Sequence, residues 1–244
     1  MKNYLLFVLI LILFGACTDD PPKLFSNPAI DLEPISSGLI AHYYFNTNAN
    51  DQTSGKRNGK LNGPITFVTS RDNKQVNAAA FNGKNTFIDM SGANLINDSS
   101  TVSIWFQVSR FPNAGDTAVF LSILNSQNSF KLGFYNKNYD AGKLLVEQKV
   151  GTKYYITASV SLPIVDRWYH IAVTSTPKES ILYLNGKIYA RANTQQGDWV
   201  FPSSTTAYIG STNIKSGFLE GYLDDLRIYN KVLNPQQIID LYTE

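Results

Sequence analysis

From Leu39 onward, apolar and polar positions alternate in short runs broken by Gly, Asn, Asp and Pro, the pattern of consecutive short β-strands. In Thr101-Val-Ser-Ile-Trp-Phe-Gln-Val-Ser109, Val102, Ile104, Phe106 and Val108 share one face and Trp105 lies on the other. That pattern predicts a strand covered on both sides. Similar runs predict strands at 86–90, 118–124, 129–135, 143–149, 154–160, 169–176, 180–184 and 187–190. Asn185-Gly186 supplies the residues that tolerate positive φ in a two-residue hairpin turn, and Asn82-Gly83 predicts another tight turn. Helical periodicity appears only at the end. There Asn234 is placed to cap a helix with Pro235 at its first position, and Ile238, Ile239, Leu241 and Tyr242 fall on one side. No repeat of 20–50 residues is visible, which argues against a propeller or solenoid. The expected class is all-β, a sandwich or barrel, closed by a short C-terminal helix.

The first residues follow a different pattern. Met1 and Lys2 precede an apolar run over 4–14, which ends in Gly15, Ala16 and Cys17. The run is shorter than the ~20 residues a membrane-spanning helix needs and is followed by acidic, Pro-rich sequence, the layout of a signal peptide. Residues 1–16 are expected to be removed, 17–37 to form a flexible tether poor in apolar side chains, and 38–244 to form one domain. Cys17 is the single cysteine, so no intramolecular disulfide or multi-cysteine metal site can form. Phe14-Gly-Ala-Cys17 resembles a bacterial lipobox. That resemblance implies an acylated, palmitate-bearing Cys17 and an outer-membrane lipoprotein held to the membrane by its lipid. The Asp19-Asp20 pair resembles the signal that sends some such lipoproteins to the cell exterior. The formal charge of +2 falls to +1 without Lys2, and so implies no nucleic-acid partner.

Several stretches occur in a recognisable order: Gly38-Leu-Ile-Ala-His-Tyr-Tyr-Phe45, Ala80-Phe-Asn-Gly83, Val102-Ser-Ile-Trp105, Trp168-Tyr-His-Ile-Ala-Val173, Leu182-Tyr-Leu-Asn-Gly186, Tyr208-Ile-Gly210 and Gly221-Tyr-Leu-Asp-Asp-Leu-Arg-Ile-Tyr229. Together they resemble the bacterial laminin-G-like (LamG) jelly-roll family of the concanavalin A-like lectin/glucanase superfamily. The resemblance implies two antiparallel sheets packed face to face, one of them curved, with strands from both ends of the domain adjacent in one sheet. The same fold carries lectins, glycosidases, lyases and structural modules, so function has to be argued from the site.

A glycosidase needs two carboxylates flanking the scissile bond. The strands expected to line the curved sheet offer Glu147 alone, with Asp140 in the preceding turn region, and no Glu-x-Asp-x-Glu run is present. His42 and His170 are the only histidines, and no nucleophile-elbow motif accompanies them. No catalytic residue is expected. The resemblance implies a structural calcium ion held by Asn46, Asn82, Gly83 and Asp224, with Asp51 and Asp225 as further candidates. In the alternative reading, Asp224 and Asp225 satisfy turn amides and pair with Arg227 or Lys231. Trp105 and Trp168 coincide with family core positions. Trp199, in a loop-like stretch, and Tyr135, Tyr139, Tyr154 and Tyr155 are the candidate sugar-stacking residues, with ordinary strand composition as the alternative for the tyrosines. The first functional expectation is a non-catalytic carbohydrate-binding module. A structural or adhesion protein with a protein partner is the second, and a glycan-active hydrolase the third.

Overall fold

The computed structural model describes residues 34–71, 76–96, 99–136, 143–158, 164–193 and 205–244, with 154–158 described in backbone alone. Cys17, Tyr139, Asp140 and Trp199 lie outside the described residues, as do the side chains of Tyr154 and Tyr155.

The strands are β1 (Leu39–Tyr43), β2 (Lys60–Asn62), β3 (Thr66–Thr69), β4 (Val76–Asn82) and β5 (Phe87–Asp89). They continue as β6 (Ser100–Val108), β7 (Thr117–Leu124), β8 (Asn128–Tyr135), β9 (Lys143–Val150) and β10 (Lys153–Ala158). The last are β11 (Tyr169–Ser175), β12 (Glu179–Leu184), β13 (Lys187–Asn193), β14 (Thr206–Ile209) and β15 (Glu220–Tyr229), before helix α1 (Pro235–Thr243).

The expected two-sheet antiparallel sandwich is the observed fold. The first sheet runs β13-β12-β11-β6-β15-β4-β3, with β1 pairing β15 beyond the end of β4. The second runs β10-β9-β8-β7-β14-β5-β2. β1 and β15 are thus adjacent although they come from opposite ends of the domain.

Alternation explains the packing. Val102, Ile104, Phe106 and Val108 of the first sheet face Phe130, Leu132 and Phe134 and Leu144 and Val146 of the second, all essentially without solvent exposure. Phe106 stacks on Phe120 at 4.5 Å and meets Phe134 edge-on at 5.8 Å. Burying each such ring is worth about 1.5–3 kcal/mol. A polar link crosses this interior, from the Gln148 amide to the Ser175 hydroxyl at 2.8 Å.

Trp105 lies on the opposite face of β6, as the alternation requires. There α1 covers the first sheet from outside: Ile238 and Leu241 pack with Leu233 on Ala172, Tyr183 and Tyr229, and Tyr242 stacks on Trp105 at 5.6 Å. Asn234 caps α1 in a reciprocal capping box with Gln237. Ile35 also packs against this cluster. Trp168 departs from the core position expected for it. It is half-buried ahead of β11, with its ring 6.4 Å from Tyr222. Asn185 and Gly186 form the predicted hairpin turn, at φ 48° and 74°.

Candidate functional site

The residues implied as calcium ligands do not converge. Asn46 is exposed, and its carbonyl accepts from the Thr47 hydroxyl and the Asn48 amide. The Asn82 side-chain oxygen accepts from the amides of Lys84 and Asn85 and the hydroxyl of Thr86, closing its own turn. Gly83 follows at φ 70° and donates to the Leu219 carbonyl. Asn82 stands opposite Glu220, whereas Asp224 stands opposite Ala78, four residues further along. At roughly 3.3 Å per residue that separation is about 13 Å. Among the described residues, no three His, Cys, Asp or Glu side chains gather as a metal site.

The acidic candidates are instead held by protein groups. Asp51 accepts from the amides of His42, Thr53 and Arg57 and from the Thr53 hydroxyl. Burial opposes its charge, but these bonds outweigh it and hold the carboxyl below its ordinary range. Asp224 pairs with Arg71 at 2.8 Å, and the Arg71 guanidinium lies 4.5 Å over the Trp105 ring. Burial pushes the Asp224 carboxyl up to about 7 against the pull of Arg71. Asp225 meets His42 Nε2 at 2.7 Å and takes both arms of Arg227, at 2.9 and 3.0 Å. Burial alone would raise it, yet the His42 bond and Arg227 hold it at about 2. Arg227 also reaches Glu244 at 2.6 Å, at the end of α1. Pairing of Asp225 with Arg227 was one of the two readings open from sequence; the Arg71 partner of Asp224 carried no local signal.

His170 is structural in geometry. Its Nε2 meets the Ser103 hydroxyl at 2.8 Å, its backbone amide donates to the Asn185 side chain, and burial lowers its pKa to about 3.

The outer face of the second sheet is different. There β7, β8 and β9 floor a cavity of about 320 Å³ lined by Thr117, Lys131, Gly133, Tyr135 and Glu147. Alternation places these residues outward, because Phe130, Leu132 and Phe134 take the inward positions of β8. Register then sets Lys131 opposite Glu147, with Nζ 2.6 Å from Oε1 and both side chains about a quarter exposed. Gly133 keeps the floor open, since a Cβ there would come 2.4 Å from the Ala118 carbonyl oxygen.

One wall is the loop between β14 and β15, which contributes Thr212 and Ser216. The Ser122 hydroxyl donates to the carbonyls of Ser211 and Thr212, the Val119 amide donates to Gly217, and the Asn213 amide reaches the Ser216 hydroxyl. These bonds fix the wall in place before any ligand arrives. Of the candidate tyrosines, the structure brings Tyr135 to this cavity; Tyr154 and Tyr155 stand on the β9 side of the same sheet, opposite Lys149 and Gln148. Lys131, Thr117, Thr212 and Ser216 were missed from sequence. The outward position of Lys131 was readable from the period of two, but its partner and the loop beside it were not.

The Laminin_G_3 family model, described as Concanavalin A-like lectin/glucanases superfamily, matches residues 81–239. The chain belongs to this superfamily. Among solved structures, this concanavalin A-like domain is similar to domain 4 of AbnA, a GH43 extracellular arabinanase from Geobacillus stearothermophilus, in complex with arabinotriose. The identity is 21% and the TM-score 0.69, covering 84% of this chain and 98% of that one. It is also similar to the binding domain of botulinum neurotoxin DC in complex with SialylT, at 12% identity and TM-score 0.64, covering 86% of this chain and 52% of that one. The serotype D ligand-binding domain in complex with N-acetylneuraminic acid aligns at 15% identity and TM-score 0.63, covering 84% and 50%. The concanavalin A-like chain thus spans about half of these toxin domains. At such identities the likeness establishes the fold. A comparison with curated protein sequences finds no match.

Proposed function

We propose that this protein is a non-catalytic carbohydrate-binding lipoprotein, held at the outer membrane through a lipid on Cys17, with its sugar site in the groove on the second sheet. The groove itself is the observation that carries the reading. Sugar rings present C–H faces that pack on an aromatic ring and hydroxyls that bond to charged and polar side chains. Tyr135 offers the first kind of contact, and Lys131, Glu147, Thr117, Thr212 and Ser216 the second. Ligand-bound neighbours of the same fold, with arabinotriose, SialylT and N-acetylneuraminic acid, support a glycan as the kind of partner.

The non-catalytic part of this reading draws its support from the carboxylates. Among the described residues Glu147 is the one acidic side chain lining the groove, and it is ion-paired with Lys131. Paired-carboxylate hydrolysis needs a second acid about 5–9.5 Å away.

The test is a binding screen of the purified protein against a polysaccharide panel, with Tyr135→Ala and Trp199→Ala variants. Specific binding weakened roughly tenfold or more by Tyr135→Ala is expected. Silence across the panel, or binding indifferent to Tyr135→Ala, would sink the reading of this groove. The anchor is tested separately: Cys17→Ala is expected to abolish palmitate labelling and release the protein from the membrane fraction.

A further inference from the structure

A second cavity, of about 260 Å³, lies at the end of the sandwich beside the groove and shares Thr117 and Ser216 with it. The two open on either side of the 212–217 loop. That loop is held tightly: a Cβ on Gly217 would come 2.0 Å from Thr212 Oγ1 and 2.9 Å from Thr117 Oγ1. Each cavity alone lies near the lower limit of about 300–1,000 Å³ for small-molecule sites. Joined across Thr117 and Ser216, they fall well inside that range.

The two cavities repeat the same chemistry. Tyr135 is the half-buried aromatic side chain of the first; Phe111 and Phe218 are those of the second. Phe111 is held edge-on to Phe134 at 5.2 Å, and Phe218 lies 6.3 Å from Phe87, so both rings are fixed by packing. The first cavity carries the Lys131–Glu147 ion pair, and the second carries Arg110–Glu220 at 2.7 Å. Each pair sets donors and an acceptor side by side, an arrangement that suits adjacent hydroxyls on one sugar ring.

Formal charge cancels in both places. Lys131 balances Glu147 in the first cavity, and Arg110 and Lys215 balance Asp116 and Glu220 in the second. A site selecting a carboxylated or sulfated sugar would need a surplus of basic groups facing the ligand.

Resting on the glycan reading above, we infer that the groove and the end cavity are two subsites of one site, which takes a neutral oligosaccharide chain running over the Thr117–Ser216 saddle. A single terminal sugar would fill only one of them.

The experiment is calorimetric titration of the protein with neutral arabino-, xylo- and cello-oligosaccharides from disaccharide to hexasaccharide, with sialyllactose and oligogalacturonate as anionic comparators. In the series that binds, the expected Kd falls roughly tenfold or more between the disaccharide and the tetrasaccharide, with little dependence on salt. Arg110→Ala, at a side chain 61% exposed and so of little weight in folding, is expected to remove most of that gain. Arg191→Ala, on β13 outside both cavities, is the control. A flat ladder, or an unchanged ladder in Arg110→Ala, with Tyr135→Ala still abolishing binding, overturns the two-subsite inference and leaves the groove as a sugar site. Preference for an anionic comparator does the same. No binding to any of these sugars overturns both.

Discussion

Asp224 and Asp225 are consecutive in the chain, yet both turn to the outer face of the first sheet. The pairing of β15 with β6 slips between Asp224 and Arg227, and Asp225 takes φ 49° within that bulge. Leu223 and Leu226 stay in the core with two outward residues between them, where an unbroken strand allows one. The bulge sets two carboxylates side by side: Asp224 takes Arg71, and Asp225 takes His42 and Arg227, with Arg71 also 4.0 Å from Asp225. β1, β15 and the end of α1, through Glu244, are thereby tied at one place.

Removing the charge at Asp225 should therefore be costly. Asparagine tolerates the left-handed backbone, so Asp225→Asn isolates the electrostatic effect from the conformational one. It leaves Arg227, 8% exposed, without the carboxylate that takes both of its arms, while Glu244 stays at 2.6 Å. A loss of about 3–5 kcal/mol is expected from breaking such a buried pair, read as a drop in the denaturant midpoint. A midpoint within error of the parent would show that the network is dispensable.

Stability against pH follows from two opposed groups. Asp224 keeps its proton to about pH 7 in the folded chain, against an ordinary 3.8, so the folded state binds more protons between these values. Its contribution is fully present below the ordinary value and is lost as pH rises through 7. His170 stays neutral down to about pH 3, against an ordinary 6.5, so its contribution is present above the ordinary value and is lost as pH falls. Each slope is on the order of 1 kcal/mol per pH unit, and the two oppose each other between pH 3.8 and 6.5. Asp224→Asn should leave the His170 slope uncompensated, so that stability climbs with pH across this window more steeply than in the parent. Parallel parent and variant profiles in unfolding experiments would falsify the assignment.

Gly133 is expected to accept no side chain. The Cβ of Gly133→Ala would press on the Ala118 carbonyl and on Val119 Cα at 2.7 Å, both backbone atoms that yield only if β7 and β8 part. A destabilisation of about 1–3 kcal/mol is expected, together with weaker sugar binding because the groove floor lifts. Thermal unfolding and titration on the same sample read both effects.

The C-terminal cap makes a smaller prediction. Asn234→Ala removes the bond from the Gln237 amide and half of the capping box, and should cost about 1 kcal/mol. Because α1 covers the outer face of the first sheet rather than the groove, sugar affinity should be unchanged. A variant with parental stability, or one with altered affinity, would contradict this division.

Much of the architecture was legible because it depends on local chemistry. The period of two in Thr101-Val-Ser-Ile-Trp-Phe-Gln-Val-Ser109 sorts Phe106 from Trp105 before any partner strand is known. Asn185-Gly186 and Asn234-Pro235 are turn and cap signals read within a few residues. The same alternation shows that Tyr135 and Lys131 face away from Phe130, Leu132 and Phe134. Trp168 was misplaced because position in a motif does not report how much of a ring its neighbours cover.

What the sequence determined by itself is therefore the run of strands from β5 to β13, the two faces of β6, the tight turns and the closing helix, since each follows from backbone preference and side-chain polarity over a short span. Tertiary structure alone decided which outward residues meet. Lys131 faces Glu147 because β8 and β9 pair in one register, Arg71 reaches Asp224 across 153 positions, and the 212–217 loop walls the groove because β7 holds it. Such contacts come from long-range register and packing, where a shift of one residue exchanges one face for the other, and no local pattern of side chains encodes that choice.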